Sequence, residues 1–395
     1  MKKHILIIEN NMAAHKILLE TGHEISWITE TEKLNNSLGY FNKLGINKNA
    51  SSEEWIKWAK LLNEIKKIDL VVNFHEFRQE EAAIISKELG LDYFNCLDTI
   101  NIINDKQKMR QFLSDSGMDS TPSKVVKNKD EINQFIENVK GPVVIKPLSG
   151  TGSKGVSIIN NISEIDEAVE WFSKSTTDHQ YYIEKFLEGP EFSVEAFSIN
   201  GEHYIIGITE KFKESKHCVE VGHCFPAQLS NVDKNLIEEY VVSILTKLNV
   251  KNGPTHTEII LTNSGPVIVE THLRNGGDNI KELVKIITGL DMTRMWIEAA
   301  LNNENKILID NMKHHNKFAC IFYQQNKENG IVLDIKNKNK DNNDIIWKSE
   351  ILKKTGDKMP ELFQRTSYVI AVSDSYASTV TEAKKYINNI EFVIG

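Results

Sequence analysis

A chain of 395 residues is long enough to bury a large core, and its length predicts two or three domains or subdomains. Hydrophobic residues at 40% and charged residues at 26% are ordinary for a soluble globular protein, and no apolar run has the length of a membrane span. The net charge of −8 argues against a protein that binds nucleic-acid phosphates along a broad surface. Composition therefore disfavours a peptide-sized fold, a membrane protein and a nucleic-acid partner.

The cysteines and the first residues suggest where the protein works. The four cysteines, Cys96, Cys218, Cys224 and Cys320, contain no CxxC pair. The N-terminal apolar run stops at Glu9, short of a signal-peptide core. Free thiols in a reducing compartment are therefore expected, which favours the cytoplasm.

The first hundred residues alternate strand-like and helix-like segments. Strands are predicted at His4–Ile8, Glu24–Thr29 and Leu70–Phe74, and helices around 12–20, 52–67 and 78–90. This alternation predicts βαβ units with a parallel sheet. A second region is expected to begin near residue 100, with a helix at Asp105–Ser116 that Gly117 ends.

A glycine-rich segment follows the predicted strand Val143–Lys146. Its residues are Ser149, Gly150, Thr151, Gly152 and Ser153. Glycines let backbone amides approach an anion, so phosphate is the natural ligand, with Lys146 as a nearby cation. Gly150, Gly152 and Gly155 also spell GxGxxG, but that dinucleotide motif must open a helix, whereas Val156–Ile159 reads as a strand. The pattern favours a hairpin lid over phosphates; the alternative is a flexible surface hairpin.

The middle of the chain contains a long hairpin and an irregular segment. The run from Glu191 to Lys211 predicts two strands joined at Asn200-Gly201, a strong hairpin signal. Residues 212–230 lack a sustained period and are rich in His, Cys and charge, which is typical of a functional loop. A helix is expected at Asp233–Leu248.

A second hairpin, Thr255 to Arg274, places acidic residues opposite each other. A turn centred on Ser264 puts Glu258 opposite Glu270 and His256 opposite His272. Strand alternation places five polar side chains on one face: His256, Glu258, Glu270, His272 and Arg274. The same alternation places Ile259, Leu261, Val267 and Val269 toward the core.

Two carboxylates in this arrangement predict a metal. Like charges directly opposite cost a few tenths to about 1 kcal/mol, so the face makes more sense with a divalent cation between Glu258 and Glu270. Mg²⁺ suits hard oxygen ligands and nucleotide phosphates. The alternatives are a solvated strand pair and, more weakly, a zinc site, which lacks a third nitrogen or sulfur ligand at a standard spacing.

Beyond residue 300 the sequence predicts a further subdomain. Strands are expected at Phe318–Tyr323 and Ser367–Val372, and a helix near 380–388. The polar stretch KNKNKDNND between them is typical of a solvated loop.

In order from about residue 104 to 280, these motifs resemble the ATP-grasp superfamily. NDKQKMRQFLSDSGMDSTP is similar to the opening helix of that family, VVIKPLSGTGSKGV to its phosphate-covering loop and YIEKFLEGPEFSVEAF to its adenine hinge. EII followed by VETHLRNGGD resembles its metal-binding pair and catalytic arginine. One departure is that the common Asn two residues after the second Glu is replaced by His272, which puts metal ligation by this position in doubt.

The resemblance implies a role for each matched residue. Lys106 would contact the nucleotide, Lys146 the phosphates, and residues 149–153 would fold over them. The backbone around Glu184 and Leu187 would hold the base, and Glu191 the ribose. Glu258 and Glu270 would bind Mg²⁺, and Arg274 would stabilise an acyl phosphate.

Within the superfamily, the chain is similar to L-amino-acid ligases that make dipeptides, of the bacilysin and carnosine-synthase types. The features are HTEI from His256, the ExxH run from Glu220 to His223, the GGD at 276–278 and RTSYVIAVSDS. This likeness implies that Glu220 and His223 help to hold amino-acid substrates and that Glu76 contacts a substrate amine. Asp278 would be compatible with a polar or basic substrate.

The resemblance implies an α/β (α+β) ATP-grasp fold with residues 1–100 as an N-terminal domain, 101–300 as the nucleotide- and metal-binding region and 301–395 as a C-terminal subdomain. It implies an ATP-dependent carboxylate–amine ligase that uses Mg²⁺, with Mn²⁺ as a substitute, on small-molecule substrates, and a homodimer is one expectation. The alternatives are a ligase of another ATP-grasp branch, acting on a non-amino-acid carboxylate or a peptide, and a nucleotide-binding protein without catalysis.

Overall fold

The structure is a computed structural model that describes residues 2–34, 39–148, 154–176, 180–214, 217–301, 306–312, 316–325, 329–339, 343–359 and 364–395. Within these residues the strands form four sheets. No described helix combines the length and apolar character that crossing a membrane requires.

The first sheet is parallel. Its strands are β1 (His4–Ile8), β2 (Glu24–Glu30), β3 (Asn42–Ile46) and β4 (Leu70–Val72), in the order β3-β2-β1-β4, with helices α1 (Met12–Glu20), α2 (Ser52–Ile65) and α3 (Gln79–Glu88) between and after them. The predicted parallel sheet is confirmed. Because β4 ends at Val72, the loop that follows lies at the carboxyl edge of the sheet, where open α/β sheets bind ligands.

The second sheet is antiparallel and carries the glycine-rich hairpin. Helices α4 (Leu97–Ile103), α5 (Lys106–Asp115), α6 (Lys129–Val139) and α7 (Ile165–Ser175) accompany strands β5 (Ser123–Val126), β6 (Val143–Pro147), β7 (Ser157–Ile159) and β8 (Tyr181–Lys185). The strand order is β5-β8-β6-β7, and Val143 pairs with Ile159. A strand therefore follows the glycines, as predicted, and the helix of a Rossmann motif is absent between residues 154 and 159. Residues Ser149, Gly150, Thr151, Gly152 and Ser153 themselves lie outside the described residues.

The rest of the chain forms a large antiparallel sheet and a small one. The remaining strands are β9 (Glu191–Ile199), β10 (Glu202–Lys213), β11 (Glu220–Phe225), β12 (Gly253–Thr262), β13 (Gly265–His272), β14 (Phe318–Gln325), β15 (Gly330–Asn337), β16 (Ile346–Ile351), β17 (Lys358–Met359), β18 (Arg365–Ser373) and β19 (Ile390–Ile394). The large sheet has the order β13-β12-β9-β10-β11-β14-β18-β16, and the small one β17-β15-β19. The remaining helices are α8 (Asn231–Lys247), α9 (Ile280–Thr288), α10 (Met292–Ala300), α11 (Lys306–Asp310) and α12 (Tyr376–Asn388).

Strand β9 separates two hydrophobic cores. Phe192, Val194 and Ala196 pack in the core that includes α8, whereas Phe197 packs in the core shared by α9, α10 and the first sheet. Because side chains alternate along a strand, Glu195 lies on the same side of β9 as Phe197, away from α8. Burial on both sides holds this central strand in register.

The segment predicted as a functional loop is partly a strand. Residues 220–225 form β11, which pairs with β10 and β14, so the loop prediction is wrong for these residues. The run EVGHCF has no clean alternation, and neighbouring strands supply the pairing that local propensity does not predict.

The expectation of four free thiols is also wrong. Cys224 on β11 and Cys320 on β14 are direct cross-strand partners and form a disulfide, whereas Cys96 and Cys218 are free. The two bonded cysteines are 96 positions apart, so only the strand order brings them together.

Candidate active site

The acidic hairpin has the predicted register at its polar end. Glu258 pairs with Glu270 and His256 with His272. A β-bulge then shifts the pairing, so that Ile259 pairs with Ile268 and both are fully buried. The prediction that Val269 faces the core is therefore wrong: it lines the cleft beside Glu270, because one extra residue reverses the facing of the strand.

A cleft between the second sheet and this hairpin collects most of the predicted nucleotide and metal residues. They are Lys106, Lys146, Glu184, Leu187, Glu191, Glu258 and Glu270. The cleft also contains Lys154, Lys213 and Cys218, to which the sequence analysis gave no role.

Lys146 is held by a buried carboxylate. Its Nζ lies 2.6 Å from Glu184 Oε1, and Arg110 Nη2 donates to Glu184 Oε2 at 3.0 Å. Burial alone would raise the pKa of Glu184, but Lys146 and Arg110 outweigh it and keep that pKa below its usual value. The Glu184 side chain therefore anchors Lys146, a role that the predicted backbone contact with the base did not include.

Lys106 neutralises one of the two hairpin acids. It begins α5, and its Nζ lies 3.1 Å from Glu270 Oε2. Burial lowers the pKa of Lys106, but Glu270 reverses this and the pKa lies above its ordinary value. The predicted nucleotide contact and the predicted metal ligand are thus neighbours.

Lys211 is the main site residue that sequence reasoning missed. This buried lysine on β10 lies 2.7 Å from Glu258 Oε1, 2.7 Å from Glu220 Oε1 and 3.0 Å from Glu191 Oε1. The acids expected to serve metal, substrate and ribose thus converge on one ammonium group. In the sequence, Lys211 stands among other charged residues, and only its alternation along β10 with Lys213, the second partner of Glu191, hints at a shared face.

The donor set fits Mg²⁺ better than zinc. Glu258 and Glu270 offer hard oxygen atoms in the same cleft as Lys146, which is the ligand type that Mg²⁺ prefers beside phosphates. Both ring nitrogens of His256 and of His272 lie within 3.4 Å of carboxylate oxygens, so neither ring has a nitrogen free for zinc. The zinc alternative is therefore disfavoured, and Glu258 and Glu270 would hold the metal.

A second polar cluster surrounds the predicted substrate residues. His223 Nε2 lies 3.3 Å from Glu220 Oε2 and 3.8 Å from Asp278 Oδ2. Asp278 also forms a two-pronged ion pair with Arg365, whose guanidinium lies 3.7 Å from the centre of the Tyr323 ring. Because Arg365 already neutralises Asp278, this carboxylate is not an unpaired anion that a basic substrate would neutralise.

The N-terminal sheet contributes Glu76 to the site. Glu76 follows β4; its Oε2 accepts from Arg274 Nε at 2.8 Å, and its Oε1 lies 2.9 Å from His272 Nδ1. Burial alone would raise the pKa of Glu76, but His272 and Arg274 lower it to about 2. The predicted amine contact is therefore an anion at neutral pH, next to the predicted catalytic arginine.

Comparison with known proteins agrees with this fold. Residues 139–282 match the family model described as an ATP-grasp domain. The solved L-amino acid ligase from Bacillus licheniformis superposes with a TM-score of 0.83 at 18% identity, covering 100% of this chain and 99% of that one. The fold is therefore the ATP-grasp fold, as predicted.

Two curated relatives match this chain over only part of its length. Alanine–anticapsin ligase of Bacillus subtilis (strain 168) is 24% identical over 309 residues, which cover 71% of this chain and 65% of that protein. Dapdiamide A synthase of Enterobacter agglomerans is 24% identical over 228 residues, covering 56% of this chain and 54% of that protein. The chain thus spans about half to two thirds of the length of these relatives.

Proposed function

We propose that this protein is an ATP-dependent carboxylate–amine ligase that joins amino acids, releasing ADP and phosphate. The observation that carries the proposal is the single cleft that brings together Lys106, Lys146, Glu191, Glu258 and Glu270. Lysines suit phosphate oxygens, and paired carboxylates suit the divalent cation that accompanies a nucleotide. The relatives named above are ligases or synthases, which supports the same reading.

The chemistry follows from charge and position. A substrate carboxylate oxygen attacks the γ-phosphorus of ATP, the bond to the β-phosphate oxygen breaks, and ADP leaves. The amine nitrogen, as the neutral free base, then attacks the acyl carbon, phosphate leaves with the C–O bond electrons, and the proton lost from the nitrogen passes to the departing phosphate or to water. Lys146 and Lys106 would stabilise the phosphates and Arg274 the acyl phosphate, while a bound Mg²⁺ supplies further charge neutralisation.

Amino acids are the proposed substrates because an anion suited to their ammonium group and a cation suited to their carboxylate group lie beside the cleft. Glu76 and Arg274 pair with each other at 2.8 Å, and a bound amino acid would exchange this pairing for its own, with its ammonium group against Glu76 and its carboxylate or acyl phosphate against Arg274. Glu220 and the buried His223 continue the line of polar contacts from Lys211 toward Asp278. Product analysis identifies the two amino acids and their order in the dipeptide.

Several finer features belong to the same proposal. Mn²⁺ would serve as a substitute for Mg²⁺. The functional regions would be residues 1–100, 101–300 and 301–395, each with its own group of motifs. A homodimer in the cytoplasm completes the proposal.

The direct test is product analysis. The protein is mixed with ATP, Mg²⁺ and pools of amino acids; ADP, phosphate and a dipeptide mass are expected. Release of AMP and pyrophosphate would contradict the acyl-phosphate route, and nucleotide binding without turnover would favour the non-catalytic alternative. Glu270→Gln is expected to abolish turnover, whereas the exposed Glu239→Gln serves as a matched control and keeps it.

A further inference from the structure

Each of the two hairpin acids is contacted by a histidine from its own strand. His256 Nε2 lies 3.4 Å from Glu258 Oε1 on β12, and His272 Nε2 lies 3.2 Å from Glu270 Oε1 on β13. The two imidazoles stack with centroids 6.2 Å apart and an interplanar angle of 22°. The antiparallel register therefore relates the two contacts by an approximate two-fold rotation.

Each histidine is in turn held by a carboxylate from outside the hairpin. His256 Nδ1 lies 2.9 Å from Glu195 Oε1 on the neighbouring strand β9, and His272 Nδ1 lies 2.9 Å from Glu76 Oε1. We call Glu195–His256–Glu258 and Glu76–His272–Glu270 the two carboxylate–histidine chains. Both ring nitrogens are used in each chain, which fixes the ring orientation.

The surroundings of the carboxylate–histidine chain Glu195–His256–Glu258 are tightly packed. Glu195 is 2% exposed and also accepts from Ser193 Oγ at 2.8 Å. A Cβ atom placed on Gly276 would lie 2.8 Å from Glu195 Oε2 and 3.1 Å from His256 Nδ1, so the backbone after β13 closes directly over this pair. A buried carboxylate with several fixed partners does not reorient without breaking them.

We propose that His256 and His272 are positioning residues that orient Glu258 and Glu270 for the divalent cation, without binding the cation themselves. A metal-binding carboxylate gains affinity when a hydrogen-bond partner fixes its direction, and losing such a partner costs about 10- to 100-fold in metal affinity. His272 thus has a defined role although it departs from the common Asn. Because Glu76 also binds Arg274, the second chain connects the metal site to the proposed catalytic arginine.

The inference rests on the proposed function for the metal, and its test does not depend on turnover. Mn²⁺ is used as the probe, its binding in the presence of ADP is measured by electron paramagnetic resonance, and pulsed measurements search for the nitrogen coupling of a directly bound imidazole. The wild-type protein is expected to bind Mn²⁺ without that coupling. His256→Ala and His272→Ala are each expected to weaken Mn²⁺ binding by about 10-fold or more.

The outer carboxylate provides the sharper variant. Among the described residues, Glu195 contacts His256 and Ser193 but neither Glu258 nor Glu270. Glu195→Ala should therefore weaken Mn²⁺ binding, and if it acts through His256, the double variant with His256→Ala should be no worse than His256→Ala alone. Glu195→Gln keeps the shape of the side chain and decides the question if the alanine variant fails to fold. His203→Ala is the matched control, because His203 bonds Ser198 on the same sheet outside both chains, and it should leave the affinity unchanged.

The outcomes separate the two proposals. Variants that bind Mn²⁺ as tightly as the wild type, additive losses in the double variant, or nitrogen coupling from a bound imidazole would each overturn the positioning role and leave the ligase proposal standing. Failure of the wild-type protein to bind Mn²⁺ with ADP would overturn the proposed function and the positioning role with it.

Discussion

At the level of single residues, the cleft is organised by buried acids that each hold more than one cation. Glu184 is 6% exposed and holds both Lys146 and Arg110, which are buried as well. Removing one partner from such a cluster leaves uncompensated charge in a poorly solvated place. The arrangement therefore fixes the position of Lys146 before any nucleotide arrives.

Glu184→Gln is expected to lower the free energy of unfolding by about 3 kcal/mol, because Lys146 and Arg110 then remain charged and only partly paired. Urea unfolding at neutral pH measures this change, and nucleotide affinity should fall in parallel. Glu188→Gln changes an exposed glutamate in the same segment and should stay within about 0.5 kcal/mol of the wild type. Equal stability of the two variants would contradict the anchoring role of Glu184.

The neighbouring glycines Gly276 and Gly277 allow a test of packing in which one substitution is the control for the other. A Cβ on Gly276 would meet Glu195 Oε2 and Ile280 Cγ2 at 2.8 and 3.0 Å, whereas one on Gly277 would meet nothing within 4 Å. Gly276→Ala is therefore expected to cost about 1–3 kcal/mol, as overpacking does, and Gly277→Ala little or nothing. Thermal unfolding of both variants measures the difference, and equal melting temperatures would show that the loop yields easily.

Much of the residue pattern was predictable, and the exceptions have physical causes. The facing of Glu258 and Glu270 follows from the turn and from strand alternation, so the sequence suffices. Val269 was misplaced because a bulge inserts one residue without a local signature. Lys211 and Arg110 were missed because their importance comes from acids on other elements, and nothing beside them in the chain reveals those partners.

At the level of elements, long amphipathic segments were predictable and short edge segments were not. Helices α1 and α8 appear where the apolar period places them. Strand β3, by contrast, has mostly half-buried residues and contains Gly45, so local pattern gives it little support, and only pairing with β2 makes it a strand. Strand β11 was missed for the same reason.

Helix α1 also carries a pH-sensitive element of stability. His15 is fully buried against Trp27, and its Nδ1 lies 2.7 Å from the Tyr40 hydroxyl. Burial lowers the pKa of His15 to about 4, from an ordinary value of 6.5. Between these pH values the unfolded chain binds more protons at this position than the folded protein, so stability falls as the pH drops from 6.5 toward 4.

The expected contribution of His15 to this loss is about 3 kcal/mol, converted from the difference between the two pKa values. The free energy of unfolding is measured from pH 7.5 to pH 4 for the wild type and for His15→Gln, which cannot titrate. The two curves should converge as the pH falls, because only the wild type loses this contribution. Parallel curves across the whole range would mean that His15 does not remain neutral in the folded protein.

At the level of the whole molecule, the large sheet joins residues on both sides of position 300. Strands β11 and β14 are direct neighbours, and Arg365 on β18 reaches Asp278 after β13. The sequence predicted the fold through an ordered series of motifs, but not this continuity, because strand order in an antiparallel sheet depends on long-range pairing. The distant motifs therefore meet in one sheet, which local periodicity does not reveal.

The Asp278–Arg365 pair is expected to couple these parts energetically. A double-mutant cycle with Asp278→Asn and Arg365→Gln, followed by urea unfolding, should give an interaction energy of about 1–3 kcal/mol. The matched pair Lys338–Glu391, whose side chains are 63% and 50% exposed, should give less than about 1 kcal/mol. Equal interaction energies in the two pairs would show that Arg365 does not link β18 energetically to the site.

The contact between Arg274 and Glu76, which are 198 positions apart, has a consequence for biosynthesis. During translation the N-terminal sheet can form early, because domains fold as units from the N-terminus. The contacts of Glu76 with Arg274 and of Asp278 with Arg365 can form only after residues 274 and 365 have left the ribosome, so the site is completed after them. A nascent chain would thus hold a folded first sheet before the proposed nucleotide and substrate site could form, and the proposed ATP-dependent reaction would have to wait for residues 274 and 365 to take their places.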